Sequence, residues 1–240
     1  MTHQALAEEI ARELLEDENV LALILYGSVA RHEECANSDV DLMVITNEVR
    51  LQKRHEIRHG ITVEYLETHV KFLQKAIEEY ETPVLFLLAE GVVLFDRIPE
   101  TRQLTAEAKE MIAAGPPVNP KWENERYATK RRADLTEMYE DLLDIDDEIA
   151  FHYVVSLLIT NAIPMLNENY SLWPRTRKKT TGYLRSQCHE GYQYIETLLN
   201  PRCSLPEKRG AAKDLIDFAL KRHGGVLEGD AIIFRIDTLE

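Results

Sequence analysis

The chain is poor in several things that usually announce a function. Its three cysteines, Cys35, Cys188 and Cys203, are scattered and odd in number, and they lack the paired spacing of a zinc site. Reduced thiols in a cytoplasmic protein are therefore expected. No apolar run approaches membrane-spanning length, and the opening Met1-Thr2-His3-Gln4 has no basic-then-apolar pattern. Neither a membrane segment nor an export signal is expected. Basic residues are in deficit, with 28 Lys and Arg against 42 Asp and Glu and a formal net charge of −14. Coating a nucleic-acid backbone calls for a basic face, so nucleic acid is not an expected partner. The acidity suits a cationic ligand, although acidic surfaces also simply confer solubility. Also missing are a Gly-rich loop ending in Lys-Ser/Thr, a dinucleotide fingerprint, internal repeats and low-complexity tracts.

What is present is an ordinary globular composition, 45% hydrophobic and 29% charged over 240 residues, enough for one large domain or two modest ones. Residues Thr2 to Asp17 read as an amphipathic helix, with Thr2 as cap and Leu6, Ile10 and Leu14 at i, i+4, i+8. Val20 to Tyr26 reads as a buried strand stopped by Gly27, Ser28 to Glu34 as a helical turn, and Asp39 to Ile45 as a second strand. His55 to His59 and Ile61 to Leu66 flank Gly60 as the arms of a hairpin. Helices follow over Val70 to Tyr80 and from Pro83 to Gly91, then a short strand, Val92 to Phe95, and a helix from Pro99 to Ala114. Gly115-Pro116-Pro117 marks a boundary. Beyond it, helical periodicity runs through about 121–143, 146–168, 176–199 and 206–223. Ala231-Ile232-Ile233-Phe234 reads as a terminal strand or as a segment packed on the helices.

Chemistry concentrates in two neighbouring stretches, Leu23-Ile24-Leu25-Tyr26-Gly27-Ser28 and Ser38-Asp39-Val40-Asp41-Leu42. Carboxylates at i and i+2 of a strand leave the same face, about 6.5–7 Å apart between Cα atoms. Such like charges repel, and a divalent cation with hard oxygen ligands removes the penalty. Gly27 lets backbone approach a ligand, and Ser28 offers a hydroxyl that can cap a helix whose free N–H groups attract phosphate. Together these describe a nucleotide–Mg²⁺ site.

These residues resemble the Gly-Ser … Asp-x-Asp signature of the nucleotidyltransferase superfamily of DNA polymerase β type, and in particular its small aminoglycoside-modifying members. Ala30-Arg31 sit where those members often have Ala-Arg, and Ser38 precedes the first Asp. Many relatives have Gly after the Arg, where this chain has His32. The resemblance implies an α+β fold: a mixed sheet with flanking helices over 1–115 as the catalytic domain, and a helical bundle over 116–240 that binds the acceptor. It implies Mg²⁺ held by Asp39 and Asp41, with Glu64 as a third acid that either completes the metal site or accepts the proton of the attacking hydroxyl. Thr62, Glu64 and Leu66 share one strand face, with Glu67 the competing acid if the register slips. Gly27, Ser28, Ser38 and Arg31 are expected around the triphosphate of ATP or another nucleoside triphosphate. Lys178 or Lys179, from the basic run Arg175 to Lys179, is expected on phosphate. Lys130-Arg131-Arg132, the acids from Asp141 to Glu148, and Trp122, Trp173 and Tyr183 are weaker candidates for ligand contact. The expected acceptor is a small hydroxylated molecule, cationic and aminoglycoside-like. Transfer onto a protein, or a silent nucleotide-binding module, stays open, as does a homodimer.

Overall fold

The computed structural model describes residues 1–227, so the apolar segment Ala231 to Phe234 lies outside the described residues. The chain divides into two compact units, Met1–Pro116 and Pro117–Glu240.

The first unit is a five-stranded mixed sheet with helices on both faces. In chain order it contains α1 (His3–Leu14), β1 (Val20–Tyr26), a single turn α2 (Gly27–Ala30), β2 (Val40–Thr46), β3 (Gln52–Arg58), β4 (Ile61–Thr68), α3 (Val70–Glu78), α4 (Thr82–Glu90), β5 (Val92–Asp96) and α5 (Pro99–Ala114). The strands lie in the order β3-β4-β2-β1-β5. Strand β2 runs antiparallel to β1 and parallel to β4, while β3 and β5 are antiparallel edges. Central β1 and β2 are covered on both faces, which is why they read as unbroken apolar runs; edge β3 alternates charges instead.

Helix α1, capped by Thr2 through its hydroxyl to Ala5 N, buries Leu6, Ala7 and Ile10. They pack on the sheet face made by Leu23, Leu25, Leu42, Val44, Val63 and Tyr65. Each such buried aliphatic side chain contributes roughly 1.5–3 kcal/mol. The opposite face carries Ile24, Met43 and Ile45, all fully buried. Helix α4 packs against β1 there, and α3, α4 and α5 pack on one another. Gly91 ends α4 against Ile24, so closely that a Cβ would lie 2.6 Å from the Ile24 side chain.

The second unit is all helical among the described residues: a 3₁₀ turn (Pro120–Glu123), α6 (Glu125–Asp144), α7 (Glu148–Asn169), α8 (Arg177–Gln187), α9 (His189–Leu199) and α10 (Leu205–Leu220). The helix expected over 176–199 is two helices, broken at Cys188, whose backbone leaves the helical region (φ −141°, ψ 61°). Cys188 is buried in the core there, so tertiary packing sets the break at a residue that is neither Gly nor Pro, while Gly182 and Gly191 lie inside the flanking helices. Helix α7 corrects a second expectation: by length and composition it is apolar enough to cross a membrane. In this structure its Phe151, Val155, Leu158, Ala162 and Met165 form the middle of the second unit's core.

Several of the weaker candidates have partners within the second unit. Arg132 donates to the carbonyls of Gly224, Gly225 and Val226, Arg131 holds Asn161, and Lys130 pairs with Asp134. Asp147 caps α7 through Ala150 N, and Asp146 pairs with Arg209. Trp122 donates from its indole to Glu168 and stacks on His223, with ring centroids 3.7 Å apart.

Candidate active site

The strand registers bring four side chains into one row across the sheet. Tyr26 pairs with Asp41, Asp41 with Glu64, and Glu64 with His55. All four project from the face that carries Ile24, Met43 and Leu66 one step further in, because side chains alternate along each strand. The row therefore stands at the end of a buried apolar layer, with a carboxylate on each of the two middle strands.

Asp39 lies just before β2 and is exposed, held at the end of a tight turn. In that turn Ser38 N donates to Cys35 O at 2.9 Å, Cys35 N donates to Ser38 Oγ at 2.9 Å, and His3 Nε2 donates to Ser38 O at 2.9 Å. Ser38 thus shapes the turn that delivers Asp39.

Gly27 is explained by Asp41. Its φ of +73° is a left-handed conformation, and a Cβ placed on it would lie 2.0 Å from Asp41 Oδ2. The Asp41 carboxylate lies directly over the Gly27 backbone, so the close approach that requires glycine is made by the chain's own acid. Ser28 is the second residue of α2, and the cap position belongs to Tyr26, which makes no side-chain capping bond. The expected capping by Ser28 is corrected accordingly. His32 has φ +56°, a left-handed conformation that glycine adopts without strain.

The charge in the row is crowded. Burial first, then Glu64, then Asp39 push the Asp41 carboxyl from 3.8 up to about 6, against the smaller pull of Lys53 and Arg31. Both Glu64 oxygens are engaged: Tyr26 donates its phenol to Oε1 at 3.0 Å, and Lys53 Nζ lies 2.7 Å from Oε2. Burial and these neighbouring carboxylates push the Tyr26 phenol well above its ordinary range. His55 Nε2 stands 3.9 Å from the same Glu64 oxygen as Lys53.

Among the described residues, no group of three or more His, Cys, Asp and Glu side chains is gathered as a ready-made metal site. The donor chemistry nevertheless suits a hard divalent cation. Asp39 and Asp41 supply carboxylate oxygens, and the Asp41 carboxyl, displaced upward first by burial and then by its like-charged neighbours, is the kind a cation relieves.

The remaining sequence candidates fall as follows. Arg31 ends α2 and is paired with Glu33 at 2.9 Å and Glu90 at 3.2 Å. Glu67 is on the opposite face from Glu64, largely buried, and holds Arg50 at 2.6 Å and Arg54 at 2.7 Å, which removes it as the third acid. Lys178 and Lys179 lie in the first turn of α8 in the second unit. Tyr26, Lys53 and His55 were not singled out from sequence. A two-residue hairpin loop at His59-Gly60 would have set Arg58 opposite Ile61, and hence His55 opposite Glu64.

Residues 8–100 match the family model described as Polymerase beta, Nucleotidyltransferase. No curated protein sequence matches the chain. Among solved structures, a nucleotidyltransferase-like protein from Exiguobacterium sibiricum 255-15 is 17% identical, with 92% of this chain and 73% of that chain covered and a TM-score of 0.47.

Proposed function

We propose that the chain, whose residues 8–100 match the nucleotidyltransferase family model, transfers a nucleotidyl group, AMP from ATP, to a hydroxyl of a small molecule and releases pyrophosphate. One observation carries the reading to this site. Asp41 lies over Gly27 between Asp39 and Glu64, and its carboxyl is raised to about 6 by burial and those two acids. A purely structural aspartate gains nothing from such a setting.

Asp39 and Asp41 would hold Mg²⁺, which when bound supplies neutralising charge for the triphosphate and for the departing pyrophosphate. Ser28 and the turn Gly27–Ala30 would meet the phosphates beside Asp41, whose carboxylate fills the space directly over Gly27. The acceptor oxygen attacks the α-phosphorus and forms a new P–O bond. The bond to the β-phosphate oxygen breaks, and pyrophosphate leaves with the electron pair. The hydroxyl proton passes to Glu64, a step worth roughly 10²–10⁴-fold when the base is in reach. Positioning supplies most of the remaining rate.

The net charge of −14 favours a cationic, polyhydroxylated acceptor of the aminoglycoside kind. Acceptor recognition is assigned to the helical unit.

The test is pyrophosphate release from ATP, GTP, CTP and UTP across a panel of aminoglycosides, other polyhydroxylated amines and candidate proteins, with and without Mg²⁺. Release that needs ATP, Mg²⁺ and one acceptor, and that is lost in Asp41→Asn with the fold intact, supports the reading. Nucleotide binding without turnover on any acceptor would replace it with a silent binding module.

A further inference from the structure

The charge balance of the row assigns a role to a side chain on the sheet's edge. Asp39, Asp41 and Glu64 bring three negative charges together, and Arg31 is already paired with Glu33 and Glu90. Lys53 on β3 makes the close ionic contact, 2.7 Å from Glu64 Oε2, with about half its side chain in solvent. It stands opposite Leu66 in the β3–β4 register and reaches diagonally back to Glu64. Its strand neighbour Arg54 is on the other face, over the Tyr65 ring at 3.7 Å and tied to Glu67. Lys53 and His55 are thus the β3 side chains next to Glu64, and of the two only Lys53 carries a permanent charge.

With Tyr26 on one oxygen and Lys53 on the other, the Glu64 carboxylate is fixed in rotation. It cannot turn to ligate a cation without giving up one of these partners. The geometry points to Lys53 as a positioning residue and resident counter-ion, which holds Glu64 aimed as proton acceptor and balances the acidic row until the nucleotide arrives with its cation. This rests on the reading of Asp39 and Asp41 as the residues that hold a divalent ion. It has a consequence that a phosphate-binding or merely structural lysine would not share. Lys53 opposes, through its charge, a divalent ion held at Asp39 and Asp41, yet supports catalysis through Glu64. Its removal should move metal affinity and turnover in opposite directions.

The experiment is a Mn²⁺ titration without nucleotide of the full chain, as wild type, Lys53→Met, Lys53→Arg, Glu64→Gln and the Lys53→Met/Glu64→Gln double variant. Lys53→Met is expected to tighten Mn²⁺ about two- to fivefold, the range of a partly exposed ion pair. Lys53→Arg should return it to the wild-type value. In the Glu64→Gln background the effect of Lys53→Met should shrink, because the lysine has lost its anchor. Unchanged or weakened Mn²⁺ binding in Lys53→Met, with wild type binding normally, overturns the inference and leaves the proposed function standing. Failure of wild type itself to take up Mn²⁺ overturns both.

Discussion

Asp41 and Glu64 stand directly opposite each other on parallel strands β2 and β4, so two carboxylates that the chain separates by 23 positions become nearest neighbours on one face. Tyr26 and Lys53 hold the second acid, and the first is left to lean over Gly27. The arrangement gives each acid a different environment, as the proposed function requires of one acid that holds a cation and another that accepts a proton.

Gly27 should be less replaceable than Gly60. Gly27→Ala forces both a positive φ and a collision with Asp41, whereas Gly60→Ala, at φ +78° with nothing within 4 Å, carries the backbone strain alone. Gly60→Ala is expected to cost about 1 kcal/mol and Gly27→Ala at least about 2 kcal/mol. Urea denaturation of both variants reads the difference, and equal losses would remove Asp41 from the explanation of Gly27.

His32 holds a left-handed backbone without being glycine. Strain of about 1–2 kcal/mol is partly offset by the extra unfolded-state entropy of glycine. His32→Gly should therefore stabilise the chain by about 0.5–1 kcal/mol, measured as an increase in the urea midpoint at unchanged slope. A loss of stability would show that the His32 side chain contributes contacts outweighing its strain.

Asp41 sets a pH dependence of definite sign. Its carboxyl is raised from 3.8 to about 6 in the fold. Between those values the folded state binds more protons than the unfolded one, so stability contributed below pH ~4 is lost as pH rises through ~6. Screened by solvent, the ionised carboxylate costs about 1–2 kcal/mol at neutral pH. Asp41→Asn should be more stable than wild type by that amount near pH ~7.5, with the gap closing near pH ~4. Denaturation curves at the two pH values check it, and a variant less stable than wild type at neutral pH would contradict it.

In the second unit, Lys208 is 2% exposed and its ammonium lies 2.8 Å from His152 Nε2. His152 Nδ1 is 2.8 Å from the Glu148 carbonyl, which assigns that nitrogen as donor and leaves Nε2 to accept from the lysine. Removing the acceptor strands a buried charge, so His152→Ala should cost about 2–3 kcal/mol. Lys208→Met, which removes the charge itself, should be near neutral. Thermal melting of the two single variants and the double variant tests this; a double variant as damaged as His152→Ala would show that the histidine acts through packing.

Much of this was legible in the chain because it is local. β1 follows the apolar run Val20–Tyr26, α5 follows Pro99–Ala114, and the face shared by Thr62, Glu64 and Leu66 follows from period two. Asp39 lies outside β2 because the Cys35–Ser38 turn ends only at its doorstep, a detail of side-chain hydrogen bonding that periodicity does not carry. The contacts of Lys53 and Tyr26 with Glu64 are not local, since they depend on cross-strand register over 11 and 38 positions. The break at Cys188 depends on the packing of the whole helical core.

The central claim is that the Asp39–Asp41 pair holds a nucleotide through a divalent cation. Equilibrium binding of a non-hydrolysable ATP analogue to wild type and Asp41→Asn, with and without Mg²⁺, tests it most directly. The expected result is saturable binding by wild type that requires Mg²⁺ and is weakened at least about tenfold in the folded variant. Equal binding by both proteins, or binding by wild type that is indifferent to Mg²⁺, would contradict it.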